Sequence, residues 1–302
     1  MTRRAWLLDA SIYIFRAWFS LPDRWKDQDG NPLNAVYGYA SFLCDLLPRV
    51  HPASHLAAAF DESLGSCFRN ELYPDYKSSR ALPDEALAFQ LRSCRELTER
   101  CGIPCYGGDR YEADDYLASL ARLAGEQQLP VTVISRDKDL GQLLTGPANR
   151  WWDFAADKTV DSAAFEQRFG VRPQQFADYL GLVGDSVDDI PGVPGVGPRT
   201  AAVLISELGS LEAIAADMAA VAALPLRGAS RLGDKLSTYW SQALLSRELA
   251  RLDANVPEVQ QLPDYQLTLS DIDNAIDFIR SLGLDGPLVR RWQALPTQLQ
   301  LA

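Results

Sequence analysis

The sequence predicts an α/β fold in which a mostly parallel sheet is covered by helices on both faces, followed by a smaller helical domain. The first observation is that short apolar runs end at acidic residues: residues 6–8 at Asp9, residues 56–60 at Asp61, and residues 131–135 just before Asp137. The second is that helical patterns separate these runs. Continuous apolar strands that alternate with helices are typical of a parallel sheet buried on both faces.

The helices are predicted from apolar residues that recur every three or four positions. These patterns cover residues 11–19, 34–47, 83–101, 116–124, 199–208 and 271–282. The run at residues 131–135 is β-branched and follows a proline, which favours a strand. A chain of 302 residues exceeds the usual single-domain size. We therefore expect two domains, at residues 1–180 and 181–302.

Composition and charge exclude several classes of protein. No apolar run approaches the roughly 20 residues that span a bilayer, and the N-terminus is charged too early for a signal peptide. We expect a cytoplasmic protein without a membrane partner. The five cysteines are odd in number and lack a C-x-x-C pair, which disfavours a disulfide framework. A zinc site at Cys94, Cys101 and Cys105 is disfavoured because His51 and His55, far away in sequence, are the only histidines.

Carboxylates gather where the predicted strands end, and the ligand crevice of a parallel sheet lies beyond the carboxyl ends of its strands. The densest group lies at residues 111–116, at the start of a predicted helix. Acids in a first helical turn have a simple alternative explanation, because they cap free N–H groups. However, acids recur at the ends of other segments, namely Asp9, Asp61, Asp137, Asp139, Asp185 and Asp188. This recurrence favours a cation shared with the group at residues 111–116, whose acids are Glu112, Asp114 and Asp115.

A rough magnitude supports this interpretation. Two carboxylates about 6 Å apart repel by roughly 3 kcal/mol at an effective dielectric near 20. Several such pairs would cancel a typical free energy of unfolding of about 5–15 kcal/mol. Either the acids diverge in space or divalent cations compensate them. Ligands that are all oxygen favour Mg²⁺ or Mn²⁺ over zinc. The net charge of −11 comes mostly from these acids, so a basic groove elsewhere stays compatible with it.

Two further stretches have the character of nucleic-acid contacts. Residues 64–80 interleave basic and aromatic side chains, as a surface that grips phosphates and stacks on bases would; a solvated loop with aromatic anchors is the alternative. Residues 190–200 carry glycines that permit tight turns before a helix that begins near Pro198. The backbone N–H groups of such a hairpin suit a phosphate without reading bases, and a plain connector is the alternative.

Taken together, these motifs resemble the bacterial 5′→3′ exonuclease and flap endonuclease family, which includes the N-terminal nuclease domain of DNA polymerase I and free-standing relatives. The resemblance runs from about residue 7 to beyond residue 240. It rests on ordered motifs at residues 8–11 with Arg16, 60–61, 68–69 with 76–80, 112–115, 137–139, 184–188 and 190–197.

The resemblance implies a PIN-like, Rossmann-like domain with a helical arch at about residues 66–100 and a helix-hairpin-helix at about residues 190–208, often with a bound K⁺. It implies one divalent cation among Asp9, Asp61, Glu112 and Asp114, and a second among Asp137, Asp139, Asp185 and Asp188, with Asp115 nearby. Phosphates near the scissile bond would be held by Arg16, Arg69, Lys77 and Arg80, of which Arg16, Lys77 and Arg80 are the candidate catalytic residues. Tyr76 would stack on a base of the frayed 5′ end. The hairpin residues that would bind DNA are Gly192, Val193, Gly195, Val196, Gly197 and Arg199.

The expected function is Mg²⁺-dependent, structure-selective hydrolysis of DNA at 5′ ends and flaps, with branched or 5′-ended duplex DNA as substrate and a DNA polymerase as a partner in trans. A non-catalytic branched-DNA-binding protein and a PIN-like ribonuclease are the alternatives. The sequence departs from the family pattern at Arg136, where Gly is frequent, and at Asp189, where Asn is frequent. Residues 86–89 lack a basic residue that relatives carry, and the segment between Arg80 and Pro83 is one residue shorter, which leaves flap-length preference open.

Overall fold

The computed structural model describes residues 3–63 and 65–301. They contain a six-stranded sheet made of β1 (Ala5–Asp9), β2 (His55–Ala59), β3 (Cys105–Tyr106), β4 (Val131–Ile134), β5 (Arg150–Asp153) and β6 (Lys158–Val160). The strand order is β3-β2-β1-β4-β5-β6, and all neighbours are parallel except the antiparallel pair β5 and β6. The direction of winding reverses between β1 and β4, which is where parallel sheets open a crevice for ligands.

Helices surround this sheet and continue beyond it. They are α1 (Ala10–Ser20), α2 (Asn34–Val50), α3 (Phe68–Leu72), α4 (Glu85–Arg100), α5 (Ala113–Glu126), α6 (Ser162–Phe169), α7 (Phe176–Val183), α8 (Pro198–Leu208), α9 (Leu211–Ala216), α10 (Ala229–Thr238), α11 (Trp240–Ala250), α12 (Leu269–Ser281) and α13 (Pro287–Leu299). Short 3-10 helices lie at Asp139–Leu143, Pro173–Gln175 and Met218–Ala223. No helix in these two described ranges is long and apolar enough to span a membrane.

The predicted α/β class with a mostly parallel sheet is confirmed. Every residue of β2 and of β4 is buried, as expected for strands covered on both faces. The edge strands were not predicted, because β3 has only two residues and β5 begins with the charged Arg150. Such short or polar strands carry no periodic pattern that a sequence analysis could use.

The packing modifies the expected division at residue 180. Helices α12 and α13 pack against α2 and α4, so their side chains join the core beside β1 and β2. Trp292 of α13 is fully buried there, and its Nε1 donates to the carbonyl of Ala40 at 3.2 Å. Residues 256–262 pack on the opposite face of the sheet with α5. The part of the chain that forms a separate helical core is therefore closer to residues 160–250.

The expected helical arch at residues 66–100 is shorter in the structure. Helix α4 packs against α2 and α12 along the buried face that carries Cys94 and Leu97. The amide oxygen of Gln90 accepts from the backbone N–H groups of Ala35 and Val36 at 2.7 and 3.2 Å, which ties α4 to the start of α2. Residues 66–84, with α3 and a series of turns, are the part that crosses the acidic edge of the sheet. Residue 64, the first of the basic and aromatic stretch, lies outside the described residues.

Candidate metal centre

The sheet register brings acidic residues from distant segments to one edge. Asp9 is the last residue of β1 and pairs with Ala59 at the end of β2, so Asp61 follows at the same edge. Leu8 pairs with Ile134, the last residue of β4, which places Asp137 beside them. This convergence follows from parallel pairing, because the carboxyl ends of neighbouring strands meet at one edge.

Two serine hydroxyls connect the segments that carry these acids. Ser135 Oγ donates to Asp9 Oδ2 at 2.7 Å and accepts from the N–H of Asp137 at 2.9 Å. Ser11 Oγ accepts from the N–H of Asp61 at 2.8 Å. Neither serine was predicted to have a role, although Ser11 belongs to the motif at residues 8–11. For Ser135 the available signal was a position two residues before Asp137 at a strand end, which is too common to be diagnostic.

Burial and mutual repulsion perturb the carboxylates of this edge. Burial, and then the charges of Asp137 and Asp61, raise the pKa of Asp9 to about 7, although the bond from Ser135 opposes the shift. Burial and the charge of Asp137 raise the pKa of Asp139 to about 8. Each tenfold change in an acid dissociation constant corresponds to about 1.4 kcal/mol of free energy between the two protonation states. Ionising this edge is therefore costly unless a cation compensates it.

Asp114 belongs to the same electrostatic group. Burial, and then the charges of Asp137 and Asp9, raise its pKa well above the ordinary range. It lies in the first turn of α5, so the helix brings its carboxylate to the edge that β1 and β4 define. Burial also raises the pKa of Asp61, and the positive charge of Lys77 opposes that shift.

Asp115 points away from this group and serves the structure of the helix terminus. It is 0% exposed, and both of its oxygens accept from the guanidinium of Arg69 at 2.7 Å. Its oxygens also accept from the N–H groups of Glu112 and Asp253 at 3.1 and 2.8 Å. The expectation that Asp115 lies near the second cation as a ligand is corrected here, because its carboxylate is already saturated by donors. Of the two explanations left open for this turn, capping applies to Asp115.

The predicted phosphate contact of Arg69 is also corrected. Arg69 is 2% exposed, and all five N–H donors of an arginine side chain are used inside the protein. Nε donates to the carbonyl of Leu249, Nη1 to Glu112 and Asp115, and Nη2 to Asp115 and the carbonyl of Arg251. Arg69 therefore joins α3, the start of α5 and the end of α11, and it positions Glu112 rather than DNA.

Glu112 lies among donors from residues 69–77. Tyr76 is 3% exposed, and its hydroxyl donates to Glu112 Oε2 at 2.9 Å. Lys77 Nζ pairs with Glu112 Oε1. Burial alone would raise the pKa of Glu112, but the charges of Lys77 and Arg69 outweigh it and hold the pKa below its usual range. The expected stacking of Tyr76 on a base is corrected, because the buried ring holds Glu112 and has no free face.

A second acidic group follows α7. Lys138 Nζ pairs with Asp185, and Arg80 Nη2 pairs with Asp188. Lys77 Nζ lies 3.8 Å from Asp188 Oδ2, so this lysine stands between Glu112 and Asp188. Lys138 was not predicted to have a role, and its place between Asp137 and Asp139 in the chain was the available signal. These positive side chains compensate part of the negative charge of the acids.

The described side chains of this edge are of the type that binds a divalent cation, but they are not arranged around one common position. The donors are carboxylate oxygens, which hard cations prefer. Asp139 Oδ1 is buried without a hydrogen bond, although Lys138 Nζ lies 3.4 Å away. Within residues 3–63 and 65–301, however, no three His, Cys, Asp or Glu side chains are placed so that they could hold one ion. Lysine ammonium groups stand among the carboxylates instead. The two expected ligand sets therefore stay predictions.

The glycine hairpin divides into a buried and an exposed part. Gly192 has a φ of 61°, and its N–H donates to Ser246 Oγ at 3.0 Å. Val193 and Val196 have buried side chains and donate their N–H groups to the carbonyls of Leu182 and Val193. The expected DNA contacts of Gly192, Val193 and Val196 are corrected, because their N–H groups are already bonded. Of the hairpin residues predicted to bind DNA, Gly195, Gly197 and Arg199 are exposed.

Arg16 lies on a different surface feature from Lys77 and Arg80. It is exposed on α1 and lines a cleft that includes Tyr13, Tyr37 and Phe154. Among the described residues Arg16 forms no ion pair with an acid, whereas Lys77 and Arg80 pair with Glu112 and Asp188, so its predicted catalytic role stays a prediction.

Family comparisons agree with this architecture. A family model for the 5′-3′ exonuclease N-terminal resolvase-like domain matches residues 4–170, and one for the 5′-3′ exonuclease C-terminal SAM fold matches residues 171–274. This chain belongs to the 5′-3′ exonuclease family. The second model covers the glycine hairpin and α8 to α11, so both halves of the family's domain arrangement are present.

Individual relatives support membership of the 5′-3′ exonuclease family. The chain is 30% identical over 261 residues to a 5′-3′ exonuclease of Buchnera aphidicola, covering 86% of this chain and 90% of that protein. It is 34% identical over 282 residues to DNA polymerase I of Rhizobium leguminosarum, covering 91% of this chain but only 27% of that protein. The chain thus spans about a quarter of the polymerase relative.

A solved structure shows the same fold at lower sequence identity. The flap endonuclease of bacteriophage T5, in a pseudo-enzyme-product complex with DNA and metal ions, matches with a TM-score of 0.67 and 22% identity. The match covers 99% of this chain and 100% of that chain. The 5′-3′ exonuclease fold is therefore present over nearly the whole chain.

Proposed function

We propose that this protein is a divalent-cation-dependent nuclease that hydrolyses DNA phosphodiesters at 5′ ends and flaps. One observation carries the proposal: at the crevice edge of the sheet, the acids at the ends of β1, β2 and β4, Asp114 of α5 and the acids at residues 185–188 lie close enough to raise one another's pKa, and Lys77 and Arg80 pair with Glu112 and Asp188. Such a crevice combines oxygen donors for hard cations with positive charges for a phosphate. Membership of the 5′-3′ exonuclease family supports the same conclusion.

The proposed metal ligands form two sets. Asp9, Asp61, Glu112 and Asp114 would hold one cation, and Asp137, Asp139, Asp185 and Asp188 the other. Two cations supply Lewis-acid polarisation of the phosphodiester, orientation of a water molecule and stabilisation of the leaving oxygen. We assign Mg²⁺ or Mn²⁺ to these sites because the proposed donors are carboxylates.

The positive side chains would position the substrate. Lys77 and Arg80 now pair with Glu112 and Asp188. With the acids compensated by bound cations, Lys77 and Arg80 would be available to a phosphate oxygen, which an arginine can bind through two parallel bonds. Arg16 would offer its positive charge to a phosphate from its own cleft, where it is exposed.

Selectivity for structure would come from contacts to the backbone of duplex DNA. Gly195, Gly197 and Arg199 are exposed where the hairpin enters α8 and offer N–H groups and a positive charge to phosphates. Phosphate contacts set position without reading sequence, so we expect recognition of junction shape. A K⁺ ion at the hairpin, a DNA polymerase acting in trans and a cytoplasmic location stay predictions.

The test is cleavage of a 5′-labelled flap DNA, with product lengths mapped, in Mg²⁺, Mn²⁺ or EDTA. We expect short labelled products in either cation, none in EDTA, and none from Asp139→Asn although that variant still binds the flap. Tight binding without cleavage in either cation would favour the non-catalytic alternative. Preferential cleavage of a matched RNA flap would favour a PIN-like ribonuclease.

A further inference from the structure

A small basic cavity lies beside the candidate metal centre, at the β5 and β6 edge of the sheet. Its volume is about 180 Å³, and it is lined by Arg136, Trp151, Asp153, Lys158, Val160 and Arg168. Because a water molecule occupies about 30 Å³ in the liquid, the cavity has room for one phosphate group and a few waters. None of the contacts described above for the metal centre uses it.

The charges around the cavity are unbalanced in favour of an anion. Three positive side chains face one carboxylate, in a chain whose net charge is −11. Asp153 Oδ2 lies 3.3 Å from Nε of Arg136, so it engages one edge of that guanidinium. Across the described ranges, Lys158 and Arg168 take part in no ion pair. Unpaired positive charges that share a cavity are what a phosphate requires.

The wall of the cavity holds its arginine in place. The guanidinium of Arg168 lies over the rings of Trp151 and Phe169, with its central carbon 5.7 and 4.9 Å from their centroids. Trp151 is 4% exposed, and its Nε1 donates to the carbonyl of Ser135 at 2.9 Å. Contact with two aromatic rings restricts this exposed side chain, so less conformational entropy is lost when its guanidinium binds an anion.

The same residues link the cavity to the acids. Ser135, which accepts from Trp151, donates through its hydroxyl to Asp9. Arg136 follows Ser135 directly and precedes Asp137. One segment of three residues therefore has a side chain in the cavity and another in the acidic crevice. A DNA strand that passes the crevice would carry its next phosphates along this edge.

We propose that this cavity binds a phosphodiester of the DNA substrate that lies beyond the scissile one. The inference rests on the proposed function, because it takes DNA as the ligand. Arg136 and Arg168 supply paired donors and Lys158 a point charge, which suits a backbone phosphate and gives no base specificity. Arg136, the departure from the family pattern, becomes a substrate-positioning residue.

The experiment measures flap-DNA binding by fluorescence anisotropy in EDTA between 50 and 200 mM KCl. The test variant is Lys158→Gln with Arg168→Gln. The control is Arg280→Gln with Arg290→Gln, which removes the same charge from exposed positions on α12 and α13. Each lost phosphate contact lowers the slope of log K against log salt by about 0.9 and weakens binding about 5–10-fold at 0.1 M salt. We expect this loss in the test variant and wild-type binding in the control.

A second arm identifies the phosphate. Flap DNAs that carry one neutral methylphosphonate at successive positions are bound to the wild type and to the test variant. We expect one position where the neutral group weakens the wild type but not the variant. Two results would overturn the proposal. One is an equal salt slope for the test and control variants. The other is a methylphosphonate series in which, at every position, the loss of affinity adds to the loss already caused by the test variant. Because binding is measured in EDTA, without a divalent cation, such a result is separate from a failure of cleavage.

Discussion

Replacing Arg69 with methionine separates its structural role from a DNA contact. The substitution keeps most of the apolar volume and removes the guanidinium that bonds Asp115 on both oxygens. Asp115 is 0% exposed and would be left as a buried charge without its partner. Breaking a buried pair in this way costs about 3–5 kcal/mol. That is a large part of a typical free energy of unfolding, about 5–15 kcal/mol.

Urea unfolding measures this loss. The control is Arg110→Met, which breaks the pair with Glu71, where the side chains are 58% and 62% exposed. Exposed pairs contribute little to stability because water screens them, so the control should unfold near the wild-type midpoint. Adding Asp115→Leu to Arg69→Met should recover part of the stability, since no unpaired charge then remains. A loss below about 1 kcal/mol in Arg69→Met, together with weaker DNA binding, would refute the reasoning.

Two other predictions concern stability. In EDTA, the folded protein holds protons on Asp9 and Asp139 up to about pH 7 and about pH 8, whereas an unfolded aspartate titrates near 3.9. The folded state therefore binds more protons than the unfolded state between about pH 4 and pH 8, and the free energy of unfolding should fall as pH rises through that window. Urea midpoints at several pH values check this; a rise with pH would contradict it, and Mg²⁺ should reduce the fall. Gly192→Ala should destabilise strongly, because its Cβ would lie 2.3 Å from the backbone nitrogen of Gly184. Gly195→Ala meets only the flexible Lys235 Nζ, at 2.8 Å, so its thermal midpoint should fall less, and equal falls would argue against this packing.

The fold was predictable where burial leaves a periodic pattern. Strands β2 and β4 are buried throughout, mostly apolar and separated by helices, so their type and direction followed from sequence. The return of α12 and α13 to the face of α2 did not follow. The pattern of α12 indicates an amphipathic helix but does not specify which apolar surface covers it. The surface that covers such a helix is determined by contacts between residues more than 200 positions apart in sequence, such as Trp292 and Ala40.

The site was predictable in composition and less so in the direction of each side chain. The sequence placed the acids at strand ends, and the parallel register brings Asp9, Asp61 and Asp137 to one edge. It could not separate Asp114, which faces this edge, from its neighbour Asp115, which faces Arg69. Basic and aromatic residues near a nuclease motif look like DNA contacts in the sequence, but the sequence does not show whether their side chains are exposed to DNA or, like Arg69 and Tyr76, buried.

Direct counting of bound Mn²⁺ by electron paramagnetic resonance tests the central claim, that acids from separate segments hold cations at one edge of the sheet. The wild type should bind two ions in the presence of flap DNA. Asp9→Asn and Asp139→Asn should each lose one, while Asp115→Asn should keep both, since that carboxylate is already occupied by Arg69. Absence of Mn²⁺ binding, or equal binding by all four proteins, would contradict the account.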